Sequence, residues 1–534
     1  MQLPFLLFLA VAAAIGGAWS WLGASIPMPP SPIAAGEKLH CLSYAPFRGS
    51  QSPLVSGTYI DARQIEDDLA RLAKVTECVR TYSVEHGVDQ VPAIAAKYGL
   101  KVMQGIWLSS HKDKNAWQVE TAIALVNRHP DVIRAVIVGN EVLLRGEMSV
   151  ADLVATMQRV KVGVSVPVTY ADVWEFWLRN RALAEVADFV TVHILPYWED
   201  FPIAADKAAA HIDAIRARVA QAFPGKEILI GETGWPSEGR MRESARPSPA
   251  DQARVLHDVL NAARAGNYKV NLIEAFDQPW KRAHEGTVGG YWGLYDDATR
   301  APKFIWGQPV SNHPRWLLQA GGGIALAAFV FAAAWTGRGP TGPILRRWLS
   351  VAIIALAAGL LIGLAIEKGL TESFGISGWL RFAVMATVAL TVPVIAATAL
   401  ARATPMPSFA QLLGGIPGRP GDILALALGG ALVVLSVLAV EAALGLAFNP
   451  RYKDFPYAAL GAPAVAYLAV AFAGSRPSSE GGAAERIAAA ALTLSAIYIA
   501  FNEGFANWQA QSFVAVLLML AVTLLRLAGV RKQG

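Results

Sequence analysis

Charge is what this sequence has least of. Asp, Glu, Lys and Arg make up 16% of its 534 residues, against about 25% in an average soluble domain. With 54% hydrophobic residues and a mean hydropathy of +0.38, that excludes an ordinary cytosolic globule. Cysteine is scarce as well: Cys41 and Cys78 are the only two, and neither they nor the nine histidines show metal-ligand spacing. No metal site is expected. No Gly-rich phosphate fingerprint follows the first predicted strand, which argues against a dinucleotide-binding sheet. The apolar half carries neither a phosphate loop to energise transport nor a DxD-type site for a nucleotide sugar.

The formal net charge of +5 is unevenly placed. Residues 23–315 hold 32 of the 46 basic and 33 of the 41 acidic residues, whereas residues 316–534 hold 14 basic and 8 acidic. The excess therefore belongs to the hydrophobic half, and no basic stripe marks a nucleic-acid surface. An apolar run from Leu3 to Leu22 is long enough to cross a bilayer of roughly 30 Å. It lacks the Lys/Arg start of a cleaved signal peptide, so a retained anchor over residues 1–22 is expected. Seven further apolar runs lie at 316–335, 348–366, 382–400, 423–447, 457–474, 487–502 and 509–525. Eight spans place both termini on one side. If residues 23–315 lie outside, the inside segments contain Arg338, Arg346, Arg347, Arg402, Arg419, Arg476, Arg486, Arg526, Arg531 and Lys532. The short outside loops contain only Lys368, Arg381, Arg451 and Lys453. The positive-inside rule thus predicts an inner-membrane protein with cytoplasmic termini and an exported middle domain. Export permits a disulfide, but two buried thiols on adjacent strands are equally natural, and unpaired cysteines are expected.

Between the anchor and residue 315, short β-branched runs alternate with amphipathic stretches. Strands are predicted over Leu39–Pro46, Thr76–Val84, Lys101–Leu108, Ile133–Val142, Pro167–Val173, Phe189–Pro196, Glu227–Gly234 and Asn271–Gln278. Helices are predicted over Asp61–Lys74, Trp117–Arg128, Val150–Val162, Ile203–Ala222 and Pro249–Ala265. The fold class is accordingly α/β: a (β/α)8 TIM barrel over 23–315 followed by an all-α membrane domain over 316–534. In such a barrel the C-terminal strand ends line the active-site mouth. The fourth predicted strand runs into Asn140-Glu141 and the seventh into Glu232-Thr233. A carboxylate after an apolar run is costly unless it is partnered or functional. Two on one rim form the pair that glycosidic cleavage needs: one protonated acid and one ionised carboxylate. Helix capping or salt bridging is the alternative reading of each.

Val138-Gly139-Asn140-Glu141-Val142-Leu143 and Gly231-Glu232-Thr233-Gly234-Trp235-Pro236-Ser237 resemble the acid/base and nucleophile motifs of glycoside hydrolase family 17, the β-1,3-glucanases and β-1,3-glucan transglycosylases. The resemblance covers about residues 39–305 and is fungal and proteobacterial in style. Phe276-Asp277-Gln278-Pro279-Trp280-Lys281 departs from the plant pattern. The apolar half resembles rhizobial membrane proteins of β-1,3/1,6-glucan synthesis. The resemblance implies a retaining barrel in which Glu141 is the general acid/base, Glu232 the nucleophile, and Asn140 a partner of the sugar 2-hydroxyl. No cofactor is implied.

It also implies that Tyr44, Tyr82, His193 and Tyr197 lie near the sugar; Asp277, Trp280 and Lys281, at and after the end of the eighth strand, are further substrate-binding candidates. Arg80 reads equally as orienting a catalytic carboxylate or pairing with an acidic neighbour. Among sixteen tryptophans, Trp316, Trp348, Trp379 and Trp508 fit interfacial belts. Trp107, Trp198, Trp235, Trp280 and Trp292 follow strand ends, with Trp235 and Trp280 the preferred stacking platforms. His111, Lys112, Asp113 and Lys114 read as a solvated rim. Glu441, inside an apolar run, reads as functional, snorkelling or helix-paired, and Gly321-Gly322-Gly323 as a close helix contact. The expected function is glucanosyl transfer on β-1,3-glucan, elongating or branching it, beside membrane lipid and a glucan synthase. Plain hydrolysis is the alternative, and a glucan-binding exporter or scaffold is the rival from another class.

Overall fold

The computed structural model describes residues 2–336, 344–413, 422–474 and 482–528. Of the basic residues used to orient the chain, Arg338, Arg419, Arg476, Arg531 and Lys532 lie outside these ranges. Two compact units result: Ile26–Glu238 with Ala245–Val310, and Met1–Ser25 with Gly239–Ser244 and Ser311–Gly534.

The first unit is a closed, all-parallel barrel of eight strands in chain order. They are β1 (Cys41–Ser43), β2 (Cys78–Arg80), β3 (Lys101–Ile106), β4 (Ile133–Asn140), β5 (Val168–Val173), β6 (Val190–His193), β7 (Ile228–Thr233) and β8 (Val270–Leu272). Each falls within or within one residue of its expected range. The largest difference is β8, expected to reach Gln278. After Leu272 the backbone keeps bonds to β7 and β1 through Ile273 N and Ala275 N, while Glu274, Phe276 and Asp277 pair with Trp292–Tyr295. Sequence pattern sees extended backbone in both halves but not the change of partner.

Helices begin where side chains satisfy free amides. Asp61 accepts from Gln64 N ahead of Ala62–Leu72, and Ser149 from Asp152 N ahead of Val150–Gly163. Ser248 does the same for Asp251 N, and Pro249 follows at the first helical position. Lys112–Lys114, expected as a loop, form the exposed first turn of Lys112–Arg128. The barrel interior is filled by Cys41, Cys78, Met103, Ala135, Ile137, Ala171 and Leu229.

The cysteines correct an expectation: Cys41 and Cys78 form a disulfide. Leu42 faces Val79 in the β1–β2 register, so the cysteines one residue earlier face each other, with Cα atoms 4.4 Å apart. That lies within bridging range. Strand adjacency, read as neutral between thiols and bridge, supplies the geometry a bridge needs.

In the second unit, seven helices among the described residues are long and apolar enough to cross a membrane: Gln2–Leu22, Trp316–Thr336, Ile344–Glu372, Gly375–Arg402, Ile423–Phe448, Ala483–Glu503 and Trp508–Ala528. The eighth expected span is the shorter apolar helix Tyr457–Ala473, of 17 residues. Glu441 is paired across helices with Arg381 Nη2 at 3.2 Å. Within the glycine run only Gly323 makes a close contact, since a Cβ there would meet Gly359 O at 2.1 Å. Trp348, expected at an interface, is buried and stacks on Phe331, whereas Trp379 and Trp508 are exposed.

Candidate active site

Both expected glutamates follow an irregularity in their strands. Between β4 and β5, Ile137 faces Thr169 but Asn140 faces Ala171, so β4 carries one extra residue. Between β6 and β7, Val192 faces Ile230 but His193 faces Glu232, which places an extra residue at Gly231. Side chains alternate with period two, so one inserted residue re-aims everything after it. Glycine is needed at both places. Gly139 has φ +86°, and a Cβ on Gly231 would sit 2.3 Å from Thr191 Cγ2. Glu141 itself has φ +52°, a left-handed conformation costing roughly 1–2 kcal/mol for a non-glycine residue.

These strand ends bring Glu141, His193 and Glu232 together, with one donor atom from each inside 4.8 Å of the others. His193 Nδ1 lies 2.7 Å from Glu141 Oε1, and its Nε2 lies 3.6 Å from Glu232 Oε1. Glu232 is 4% exposed. Its Oε1 forms an ion pair with Arg80 and accepts from Tyr82 Oη at 2.9 Å. Arg80 is buried, stacks 4.3 Å from the Tyr82 ring and donates its second nitrogen to Asn140 Oδ1. One guanidinium therefore ties the two motifs together. Burial works to raise the Glu232 pKa, but His193, Arg80 and Lys281 outweigh it and hold the carboxyl below its usual range. The Glu141 side chain is more open, at 22% exposed. An ionised, anchored carboxylate beside a more accessible carboxyl suits attack by one and proton transfer by the other.

The same three side chains are the group that could offer ligands to a divalent cation. Arg80 and Lys281 already act on Glu232 and oppose a further cation there. The arrangement fits a proton-handling site better than a metal centre.

Lys281 donates to both oxygens of Glu274, at 2.8 and 2.9 Å. Trp280 is half-buried and its indole N–H donates to Gln278 Oε1. Other expected residues point elsewhere. The Tyr44 hydroxyl donates to buried Asp68 Oδ2 at 3.0 Å, and Asp68 also pairs with half-buried Arg48. Trp235 is fully buried, its N–H donating to Arg246 O at 2.9 Å, so its faces are packed rather than free. Tyr197 is also buried, edge-on to Trp198, Trp235 and Trp292. Asp277 accepts from Lys303 Nζ at 2.7 Å and Gly293 N at 2.8 Å, and burial pushes its carboxyl up to about 7.

Five residues escaped the sequence reading, Glu274 among them. Arg145 donates to the Asn140 and Leu108 carbonyls and lies 4.3 Å from the Trp107 ring, bracing the loop that follows β4. Glu285 interacts electrostatically with Lys281, Glu141 and Glu232. Tyr170 and Asp172 of β5 stand behind Glu141, and burial pushes Asp172 up to about 6. The alternation Thr169-Tyr170-Ala171-Asp172, with two polar side chains on one face of a buried strand, was the available signal.

Residues 41–293 match the BtgE/BtgC glycoside hydrolase domain. A glucan 1,3-β-glucosidase of Arthroderma benhamiae is 29% identical over 261 residues, covering 46% of this chain and 84% of that protein. The Saccharomyces cerevisiae glucan 1,3-β-glucosidase is 24% identical over 261 residues, covering 45% and 83%. Among solved structures, a family 17 β-1,3-glucanosyltransferase from Rhizomucor miehei superimposes with a TM-score of 0.45 at 24% identity, covering 50% of this chain and 97% of that one.

Proposed function

From the premise that the barrel is a family 17-like glycoside hydrolase domain, we propose that this chain is a membrane-held, retaining β-1,3-glucan glucanosyltransferase. The single observation that carries the reading is the approach of the Glu141 and Glu232 carboxyls from β4 and β7 to within 4.8 Å. Retaining enzymes hold their pair about 5–5.5 Å apart, whereas inverting ones need about 6.5–9.5 Å to admit a water. In the first step the Glu232 carboxylate attacks the anomeric carbon. The glycosidic C–O bond breaks, and Glu141 gives its proton to the departing oxygen. In the second, Glu141 takes the proton of an acceptor hydroxyl, whose oxygen displaces Glu232 and forms the new glycosidic bond. Water in place of the sugar acceptor gives hydrolysis.

The names of the relatives support β-1,3-glucan as substrate. The apolar helices support a membrane location, and the Cys41–Cys78 bridge supports an oxidising compartment for the barrel, as expected of the periplasmic side of an inner membrane. Glucan emerging there from a synthase would meet the enzyme at high local concentration, which favours transfer. Incubation with a short β-1,3-gluco-oligosaccharide, read by linkage-sensitive NMR, is the test. Longer or branched products with β linkages are expected, and Glu232→Gln abolishes them. Only shorter products would reject transfer, an α-configured first product would reject retention, and full function in Glu232→Gln would leave a binder or exporter.

A further inference from the structure

The catalytic machinery accounts for Glu141, Glu232, His193, Arg80 and Asn140, but not for the polar pair on the strand behind them. Both lie in β5, Tyr170 directly opposite the extra residue of β4 and Asp172 two residues on. Tyr170 is fully buried among residues of the layer between strands and helices, its ring 5.9 Å from Trp177. It does not line the mouth.

β5 grips the end of β4 at three points. Ala171 O accepts from Glu141 N at 2.8 Å. Tyr170 Oη accepts from Leu143 N at 3.0 Å and donates to the Asp172 carboxylate. The Tyr170 ring lies against Gly139, where an added Cβ would be 3.4 Å from Cε2. The ring and hydroxyl of one side chain thus bracket Asn140-Glu141 from both sides. The bracketed backbone is costly at Glu141, a non-glycine residue with positive φ, and such conformations persist only where surroundings over-determine them. Asp172 is in turn fixed by Val173 N at 2.7 Å, so the hydroxyl has a rigid acceptor and must present its lone pair to Leu143.

We infer that Tyr170 is a positioning residue for the acid/base, holding the bulged, left-handed end of β4 so that Glu141 points at the leaving oxygen. The inference rests on the reading of Glu141 as proton donor. Its signature is selective. A glucan leaving group needs the proton, whereas dinitrophenolate leaves without one. Loss of Tyr170's hydroxyl therefore penalises glucan cleavage and spares the activated aryl glycoside.

The test compares kcat/KM, which reports the steps through glycosylation, on a laminari-oligosaccharide and on a 2,4-dinitrophenyl β-1,3-glucobioside, using the full chain. Tyr170→Phe is expected to lose roughly 10- to 100-fold on the oligosaccharide and to stay within about three-fold on the aryl glycoside. Glu141→Gln supplies the reference for the reading itself: if it fails to discriminate between the two substrates, the acid/base assignment falls, whatever Tyr170 does. Asp172→Asn keeps only one acceptor oxygen for the two donors, Tyr170 Oη and Val173 N, and is expected to discriminate in the same direction as Tyr170→Phe. With Glu141→Gln discriminating, an equal loss on both substrates in Tyr170→Phe, or no loss on either, would overturn the positioning role.

Discussion

Replacing Arg80 by methionine removes a buried charge that bonds to both motifs while roughly keeping the side chain's length and apolar stem. Arg80 is 1% exposed and Glu232 4% exposed, so the variant leaves a buried carboxylate without its nearest counter-charge. Breaking a buried ion pair from one side costs about 3–5 kcal/mol. The protein can limit that cost by protonating Glu232, and each unit of upward pKa shift corresponds to about 1.4 kcal/mol. Lys281 and His193 still act on Glu232, so a shift of about one to two units is expected, with the remainder lost from stability. The sign follows from the native state. Glu232 is held below the usual carboxylate range, so its contribution to stability is present above the ordinary carboxyl pKa and disappears as pH falls through the lower native value. Attack requires the ionised form, and the acid limb of kcat/KM should therefore move to higher pH in Arg80→Met. Arg80→Lys keeps the charge but not the second bond to Asn140 Oδ1, and should keep the acid limb while lowering kcat. The assay is a pH series of kcat/KM on a laminari-oligosaccharide, paired with thermal melts. An unmoved acid limb in Arg80→Met, beside a lowered melting temperature, would show that Arg80 only supports the fold.

Two further outcomes test the barrel itself. The Cys41–Cys78 bridge closes a separation of 37 residues, for which chain entropy predicts about 4 kcal/mol of stabilisation. Denaturant titration of the double serine variant should show a correspondingly lower midpoint, and coincident curves would refute the estimate. Asp277 is pushed up to about 7 by burial, against Lys303, whereas an unfolded Asp titrates near about 3.9. The native state then keeps a proton that the unfolded chain releases, so this residue lowers stability as pH rises across that window. Asp277→Asn should flatten the decline in melting temperature between the ends of the window, and an unchanged slope would refute the assignment.

The barrel was legible because its signals are local. β-branched runs, the amphipathic stretches between them and the spacing of eight strands lie along the chain. Glu141 and Glu232 were legible for a related reason, since a carboxylate ending an apolar strand stands out against its neighbours. Direction was harder to read. Tyr44 and Tyr82 occupy equivalent strand ends, yet one hydroxyl turns to Asp68 and the other to Glu232. The choice depends on partners from other strands and helices. Trp235 illustrates the same limit: its motif position suggested a stacking surface, but Arg246 O, eleven residues on, claims its N–H, and Tyr197 packs against it. Tyr170 and Asp172 were passed over because their importance comes from the extra residue in β4, which exists only once β4 and β5 are paired.

The disulfide stands beside the seam of the barrel. β1 closes the ring against β8, a strand made some 230 residues later along the chain, and both are only three residues long. Until β8 arrives, the outer edge of β1 is an unpaired template of the kind that recruits other chains. Linking β1 covalently to β2 fixes the register of the pair, so the incoming strand meets a preset edge. The bridge thus presets the edge on which the ring closes, and its loss should lower the yield of folded protein.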